Sequence, residues 1–154
     1  MRSVKIPKVL KKCIKEGCSF KDEMPYFSRI TFGKEGVERE DFCERCWEKP
    51  ENALWWQGVY TVNEVLFNEL TPYEEDLFKS FLKAYEDLEN CLEFTHFLAQ
   101  YFKRRKLFIK RGECHIDEVL SEIYEVKGGR DSFIIPKRII TLKELDFIRC
   151  QLNG

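Results

Sequence analysis

The chain has 154 residues, a formal net charge of −1, 44% hydrophobic residues and 14% aromatic residues. That length and hydrophobic content are enough for a folded core, so extensive disorder is excluded, and the near-neutral charge excludes a polycation that coats nucleic acid. No stretch of about 18 apolar residues occurs, and the basic N-terminus lacks the apolar segment and cleavage site of a secretory signal. We therefore expect a cytoplasmic protein with no membrane segment, in a reducing compartment where disulfides are rare.

Four cysteines in the N-terminal third form two close pairs. Four residues separate Cys13 from Cys18, and two separate Cys43 from Cys46. Turns of this length let two sulfur atoms converge on one ion, and two such pairs complete the tetrahedral shell of structural zinc. The spacing therefore predicts a structural Zn²⁺ site. Since four thiolates leave no coordination position open, it predicts no Lewis-acid chemistry at the metal.

Two other interpretations of these cysteines fit less well. Burial as small hydrophobic side chains conflicts with the charged residues around them, which are Lys11, Lys12, Lys15, Glu44 and Arg45. A redox couple at Cys43 and Cys46 requires a βαβ context, which the pattern lacks, and leaves the upstream pair unexplained. The total of seven cysteines is odd, which also argues against a closed disulfide framework.

The segment between the cysteine pairs predicts a hairpin. Residues 24–32 are rich in aromatic and β-branched residues, residues 33–36 carry glycine at both ends, and residues 37–43 alternate and return. After Cys46, residues 47–52 start like a helix that Pro50 stops. Together these features indicate a treble-clef-like zinc module, with a plain zinc ribbon as the alternative.

Two tryptophans follow in the stretch ALWWQGVY, residues 53–60. Trp55 and Trp56 point in different directions whether this stretch is a helix or a strand. We favour a hydrophobic joint in which one ring packs on the zinc module and the other on the next segment, because large aromatic side chains are mostly buried. The alternative is an exposed platform that stacks on a base or a partner side chain.

Two helices are predicted next, over residues 72–86 and 88–105, with a possible merger into one bent helix. Thr71 and Glu74 form a capping box at the first start. Both segments have one apolar face at helical spacing, and Cys91 falls on the second face, where we expect it in the core.

The C-terminal part is predicted to end with a hairpin and a short helix. Residues 120–136 predict a hairpin around Gly128 and Gly129, although Ile116 to Ile123 also fit a helical face. Thr141 and Glu144 form a second capping box, before a helix on which Cys150 packs. The predicted fold class is α+β: a small zinc module (1–50) packed on a mainly helical domain (51–154) with a β-hairpin.

A basic strip occupies residues 101–111 and contains no acid, whereas the stretch from Glu64 to Glu93 is strongly acidic. Aromatic residues interrupt the strip, as in a phosphate-contacting surface with stacking rings; a solvated helix face is the alternative. The candidate contact residues are Lys103, Arg104, Arg105, Lys106, Lys110 and Arg111, together with Trp55 and Trp56.

No catalytic constellation is predicted. The chain has two histidines, His96 in a predicted helix and His115 beside Cys114. Sequence neighbours rarely form a nucleophile and base pair, because such partners usually meet through the fold. Phosphate-cradling and dinucleotide fingerprints are absent from the sequence, so we expect neither an enzyme nor a small-molecule substrate.

These motifs resemble a family of uncharacterised bacterial proteins with an N-terminal zinc-ribbon-like module. The resemblance covers most of the chain, and its most specific parts are DFCERCW and RRKLF. It implies zinc binding and no catalytic residue. The residues that carry it are Cys13, Cys18, Asp41, Cys43, Cys46, Trp47, Trp55 and Trp56, followed by FLAQYFKRRKLF and a C-terminal FIIP.

Two functions of different classes fit these patterns. The first is an adaptor that binds a protein partner, with the zinc module as a rigid platform and an acidic face on the helices. The alternative is a nucleic-acid-binding accessory factor of transcription or translation that uses the 101–111 strip. We favour the adaptor, because the acidic stretch would compete with nucleic acid for the same basic residues.

Overall fold

The computed structural model describes residues 5–62, 70–116, 118–128, 131–137 and 142–153. Within those ranges, six strands form two three-stranded antiparallel sheets, and three helices accompany them. We call them the N-terminal sheet, of order β2-β1-β3, and the C-terminal sheet, of order β4-β5-β6. The elements are β1 (Pro25–Gly33), β2 (Gly36–Cys43), β3 (Leu54–Val59), α1 (Pro72–Glu86), α2 (Leu88–Arg104), β4 (Phe108–Ile116), β5 (Val119–Val126), β6 (Ser132–Pro136) and α3 (Leu142–Asn153).

The hairpin predicted between the two cysteine pairs is confirmed. β1 and β2 pair from Tyr26 opposite Cys43 to Gly33 opposite Gly36. Gly36 has a φ of +131°, a conformation that glycine adopts and other residues rarely do, so the tight turn depends on it. The hairpin places Cys43 at the end of β2, back beside the segment that carries the first cysteine pair.

β3 completes the N-terminal sheet by pairing with the other edge of β1, from Pro25 opposite Val59 to Ile30 opposite Leu54. The predicted boundary at residue 50 therefore falls between two strands of one sheet. Whether the parts on either side fold separately stays a prediction.

The helix-like start predicted after Cys46 is wrong. Residues 44–46 form a turn, and residues 47–52 have no helical structure. The ring of Trp47 stacks on Phe27 of β1, with ring centroids 5.1 Å apart. Because this contact holds the segment against the sheet, the chain passes directly into β3.

A mainly helical C-terminal domain was the wrong expectation. In the described ranges beyond residue 70, two helices are followed by three strands and a last helix, and strands outnumber helices six to three in the described chain as a whole. The predicted hairpin around Gly128 is confirmed as β5 and β6, with Gly129 outside the described residues. β4 was not predicted, and the helical face considered over Ile116 to Ile123 is wrong, since Ile116 pairs with Val119 across a tight turn.

A helix ends inside the basic strip. Lys106 has a φ of +61°, its N–H donates to the Lys103 carbonyl, and the Leu107 N–H donates to the Phe102 carbonyl at 2.9 Å. This pair of bonds is a Schellman motif, which normally places glycine at the left-handed position. The predicted end at residue 105 agrees with the observed end at Arg104, whereas the strand from Phe108 was missed because its sequence, FIKRGECHI, does not alternate between apolar and polar residues.

The first two helices match the predicted spans closely. The capping box of α1 is present: Glu74 N–H donates to Thr71 Oγ1, and Thr71 N–H donates to the Glu74 carboxylate, both at 3.2 Å. Asp87 separates α1 from α2, and α2 is kinked at Cys91, which is partly buried. α1 and α2 pack on one another and on the C-terminal sheet around a cluster of aromatic rings that includes Phe81, which is fully buried.

The two sheets pack face to face. Ile30 and Trp56 from the N-terminal sheet contact Ile123 and Ile134 from the C-terminal sheet, and all four are buried. Side chains alternate along β1, so Tyr26, Ser28 and Ile30 share the inner face. This layer connects the cysteine-containing region to the rest of the molecule.

The last helix, α3, contributes Ile148 to the interior, with 1% of its surface exposed. Cys150 is exposed, so its predicted packing role is wrong. The predicted capping box of Thr141 and Glu144 lies outside what is described, as do residues 64–69 of the acidic stretch. Among the described helices, none has the length and apolar character needed to cross a membrane.

Candidate metal centre and neighbouring surfaces

The structure brings together the four cysteines that the spacing predicts as ligands. The sulfur atoms of Cys13, Cys18 and Cys43 all lie within 4.8 Å of one another. Cys46 Sγ lies within the same distance of Cys43 Sγ and of a carboxylate oxygen of Glu16. In a tetrahedral thiolate shell with metal–sulfur bonds of about 2.3 Å, neighbouring sulfur atoms are about 3.8 Å apart. The cluster is therefore compatible with a bound metal ion after small side-chain adjustments.

Each cysteine pair is shaped by a short turn. The Cys13 N–H donates to the Cys18 carbonyl at 2.9 Å, and the Gly17 N–H donates to the Cys13 carbonyl at 2.8 Å. Gly17 has a φ of +72°, so this turn also needs glycine. In the second pair, the Cys46 N–H donates to the Cys43 carbonyl at 3.1 Å. Both turns aim their sulfur atoms at the same point.

Asp41 fastens the first turn to the hairpin. Its carboxylate accepts the Leu10 N–H at 2.9 Å, and its main-chain carbonyl accepts the Ile14 N–H at 3.0 Å. The other carboxylate oxygen accepts hydrogen bonds from Ser28 at 2.5 Å and from Arg39 at 3.1 Å. Asp41 is fully buried, so these bonds tie the segment of the first cysteine pair to the hairpin that leads to the second.

The protonation of the thiols is uneven. Burial would raise the pKa of Cys13, but backbone N–H donors from Cys43, Glu16 and Lys15 outweigh it and lower the value to about 7. Burial raises the pKa of Cys46, and hydrogen bonds with Cys43 and Glu16 add to the effect. A bound cation would displace the remaining thiol protons, so metal affinity should rise with pH.

Glu16 belongs to the centre although the sequence analysis did not single it out. It lies inside the first cysteine turn and places an oxygen near Cys43 and Cys46. Arg45, inside the second turn, donates to Glu16 Oε2 at 2.6 Å. The hydrogen bond from Arg45 is the largest cause of the lowered pKa of Glu16, and a hydrogen bond with Cys46 is the second largest. The position of Glu16 within C-x4-C was the available signal.

An aromatic face lies beside the cysteines, on the outer side of the N-terminal sheet. The Trp47 ring stacks on Phe27 and contacts Trp55 with ring centroids 5.5 Å apart. All three rings are partly exposed. Lys49 Nζ sits 5.6 Å from the centre of the Trp55 ring, a cation–π distance. We call Phe27, Trp47 and Trp55 the aromatic face.

Trp56 points the other way, as expected for adjacent residues of a strand. It is 4% exposed and packs between the sheets. Its indole N–H donates to Glu125 Oε2 at 3.2 Å, and the Arg39 guanidinium lies 5.4 Å from its ring centre. This position agrees with the predicted hydrophobic joint, and Trp56 is too buried to stack on a ligand.

The basic strip does not form one continuous surface of available cations. Arg105 donates to Glu74 at 2.6 and 2.9 Å, and Arg111 donates to Glu125 at 2.9 Å. Lys110 lies 2.8 Å from a Glu113 oxygen and 3.0 Å from a Glu122 oxygen. Two aromatic rings of the strip cannot contact a ligand, since Phe102 and Phe108 are buried in the core. Lys103, Arg104 and Lys106 are exposed at the end of α2.

The remaining reactive side chains are dispersed. His96 is buried within α2, and Cys114 lies on β4. Burial raises the pKa of Cys114 to about 11, so its thiol is protonated at neutral pH. Comparison with known proteins gives no relative: no family model, curated protein or solved structure matches this chain.

Proposed function

We propose that this protein is an adaptor in which a structural Zn²⁺ ion, held by Cys13, Cys18, Cys43 and Cys46, supports the aromatic face as the binding surface for a protein partner. The observation that carries the proposal is the position of Trp47. It follows the fourth cysteine directly and forms the middle of the aromatic face. The cysteine cluster therefore lies directly beside the residue on which the other two rings pack.

The donor set favours zinc. Four thiolates in a tetrahedron suit Zn²⁺, whereas hard cations such as Mg²⁺ and Ca²⁺ prefer oxygen ligands. A strand leads into the second cysteine pair, and the next described element is again a strand of the same sheet. This arrangement supports a zinc ribbon in preference to a treble clef, which requires a helix after the second pair.

The chemistry of the aromatic face selects the kind of partner. Large, partly exposed aromatic side chains are frequent anchors of protein interfaces. The segment between Cys43 and Trp55 exposes Glu44, Glu48 and Glu51 against Arg45 and Lys49, so it carries one negative charge in excess, which favours a basic partner over a polyanion. We propose that the partner presents an extended, proline-containing and basic segment to the aromatic face, because aromatic surfaces bind such segments at low entropic cost.

The zinc proposal is tested by metal content. Purified protein should contain about one zinc per chain by elemental analysis, and Cys43→Ser should lose it. Cys150→Ser is the matched control, because Cys150 is exposed and far along the sequence; it should retain zinc. Full zinc content in Cys43→Ser would contradict the assignment.

The binding proposal is tested with a defined probe. A synthetic peptide of alternating proline and lysine should bind saturably, as followed by tryptophan fluorescence, and Trp55→Ala should weaken binding at least tenfold. Phe147→Ala removes another exposed aromatic, at 65% exposure on α3, and should leave affinity unchanged. Equal affinities of the Trp55→Ala variant and the parent protein would rule out the aromatic face.

Nucleic-acid binding, as an accessory factor of transcription or translation, is the second candidate. The exposed cations Lys103, Arg104 and Lys106 favour it, and the carboxylate partners of Arg105, Lys110 and Arg111 count against it. If this function is the real one, a single-stranded oligonucleotide should bind with log affinity falling about 0.7 per phosphate contact against log salt. A combined Arg104→Glu and Lys106→Glu variant should then lose that binding.

A further inference from the structure

Five side chains that can bind a metal meet at the cysteine cluster, in the part of the chain that the structure describes. Their ligand atoms form two groups, and within each group all atoms lie within 4.8 Å of one another. The first group is the sulfur atoms of Cys13, Cys18 and Cys43. The second is the sulfur atoms of Cys43 and Cys46 with a carboxylate oxygen of Glu16. Cys43 belongs to both groups, so a tetrahedral shell built on the first group has two candidates for its fourth ligand.

The carboxylate of Glu16 lies directly beside the sulfur atom of Cys46. It accepts a hydrogen bond from the Cys46 thiol, which is one cause of the lowered pKa of Glu16. Arg45, the residue before Cys46, donates to Glu16 Oε2 at 2.6 Å. Glu16 is therefore attached to the turn of the second cysteine pair, although it belongs to the turn of the first. A carboxylate in contact with a sulfur atom can take the position of that sulfur by a small side-chain rotation.

The chemistry of a carboxylate suits this position. Carboxylate oxygen binds Zn²⁺ at about 2.0–2.2 Å, in the same tetrahedral geometry as thiolate sulfur. Each donor carries one negative charge, so exchanging one for the other leaves the charge of the shell unchanged. The ion pair with Arg45 is a weak competitor, because 79% of the Arg45 side chain and 37% of the Glu16 side chain are exposed, and exposed ion pairs contribute little.

We propose that Glu16 is an alternate metal ligand, which replaces Cys46 while Cys13, Cys18 and Cys43 stay bound. The inference rests on the zinc site of the proposed function and adds a fifth ligand to it. In the exchange, one metal–sulfur bond breaks, one metal–oxygen bond forms, and the Cys46 sulfur takes a proton from water.

The two cysteines of the second pair therefore differ in importance. Cys43 is shared by both groups of ligand atoms and is indispensable, whereas Cys46 is replaceable. Their spacing treats Cys43 and Cys46 alike, so this difference follows only from the position of Glu16 in the fold.

The test is a double-mutant cycle on zinc affinity, measured on the full-length protein by competition with a chelator of known affinity. Cys46→Ala should still hold about one zinc per chain, because Glu16 completes the shell. Adding Glu16→Gln to Cys46→Ala should lower the affinity at least tenfold, whereas Glu16→Gln alone should change it less than threefold. The bond with Arg45 is lost in both backgrounds, so the difference between them measures ligation by Glu16.

Two further variants are the controls. Glu44→Gln removes an exposed carboxylate beside Cys43 that belongs to neither group, and in the Cys46→Ala background it should leave the affinity unchanged. Cys43→Ala disrupts both groups and should lose the zinc. In cadmium-loaded protein, the ¹¹³Cd NMR signal of Cys46→Ala should move from that of the parent protein in the direction of oxygen ligation.

The outcomes separate the alternate ligand from the zinc site itself. A parent protein without zinc would overturn both. Zinc in the parent protein but none in Cys46→Ala would overturn the role of Glu16 alone, and so would an equal effect of Glu16→Gln in the two backgrounds.

Discussion

Glu125 accepts hydrogen bonds from residues of both sheets. Its Oε2 accepts hydrogen bonds from Tyr26 at 2.9 Å and Trp56 at 3.2 Å, and lies 3.5 Å from Arg39. Its Oε1 accepts from Arg111 at 2.9 Å. Glu125 is 4% exposed, so its carboxylate is shielded from water. Four donors from the two sheets take the place of the water that the carboxylate loses on folding.

We expect Glu125→Gln to destabilise the protein by about 3–5 kcal/mol, because it leaves the guanidinium groups of Arg39 and Arg111 buried without their common carboxylate. Urea denaturation measures the change. Glu113→Gln removes a carboxylate from an exposed ion pair with Lys110 and should cost less than about 1 kcal/mol. Similar losses in the two variants would show that burial does not determine how much these ion pairs contribute to the free energy of unfolding.

Glu74 makes part of the stability depend on pH. Hydrogen bonds from Arg105 are the largest cause, and against the effect of burial they lower the pKa of Glu74 from 4.5 to about 2. Since the folded-state pKa lies below the unfolded one, the pair stabilises the fold above about pH 4.5, and this contribution is lost as pH falls toward 2. Glu74→Gln should therefore lower stability at neutral pH and flatten its decline in acid.

Urea midpoints measured in steps from about pH 7 to about pH 2 check this prediction. Asp76→Asn is the control, because Asp76 is exposed and lies two residues from Glu74 on α1. The stability of this variant should decline in parallel with that of the parent protein. If the curve for Glu74→Gln also runs parallel to the parent, the pair with Arg105 is not the source of the acid sensitivity.

At the scale of the elements, β3 fits against β1 through a glycine. Gly58 lies opposite Tyr26 in the sheet, and an added Cβ would be 2.5 Å from the Tyr26 ring. The ring needs this space because its hydroxyl donates to Glu125. Strand pairing and the contact between sheets are thus linked at one position.

Gly58→Ala should cost about 1–3 kcal/mol, the usual range for overpacking, because the Tyr26 ring must move off Glu125. Gly33→Ala is a matched control at the end of β1: the nearest atom to its added Cβ is 3.7 Å away, so the change should be well below that range. Thermal unfolding of both variants decides the matter. An equal loss in each would show that the Tyr26 contact is not the cause, since the lower backbone entropy of an unfolded chain with alanine acts in the opposite direction.

The elements with short-range signals were predictable, and those set by distant contacts were not. The Thr71 and Glu74 box marked the start of α1, and glycines marked the β1–β2 turn, because caps and turns are encoded by neighbouring residues. β4 was missed because its sequence, FIKRGECHI, does not alternate between apolar and polar residues. The cysteine cluster was also predictable, since its spacing defines the ligand geometry, whereas the contacts of Glu125 depend on strands that meet only in the fold.

At the scale of the whole molecule, the cysteine centre and the C-terminal sheet are mechanically connected. Asp41 binds the first cysteine turn, Arg39 bridges Asp41 and Glu125, and Glu125 lies on β5. This path of buried charges joins the N-terminal sheet to the helices that pack on the C-terminal sheet. A change at the cysteine cluster should therefore affect the entire fold.

We expect unfolding in a single transition, with tryptophan fluorescence and far-ultraviolet circular dichroism giving the same midpoint. If the cysteines hold zinc as proposed, removing it with a chelator should lower that midpoint for both signals together; a loss of about 3 kcal/mol corresponds to about 6–12 °C in Tm for a chain of this size. Two separate transitions, with only the fluorescence one sensitive to chelation, would instead show that residues 1–50 and 51–154 fold independently.

The shared carboxylate of Glu125 also has an evolutionary consequence. A substitution there removes the carboxylate that two arginines from different sheets share, and a substitution of either arginine removes one of the two positive charges that compensate this carboxylate. Drift at positions 39, 111 and 125 should therefore be concerted: lineages should keep all three charges or replace all three by apolar residues, and intermediates with one member changed should be rare. Sequences that carry the cysteine spacing of this chain can be sorted by that rule.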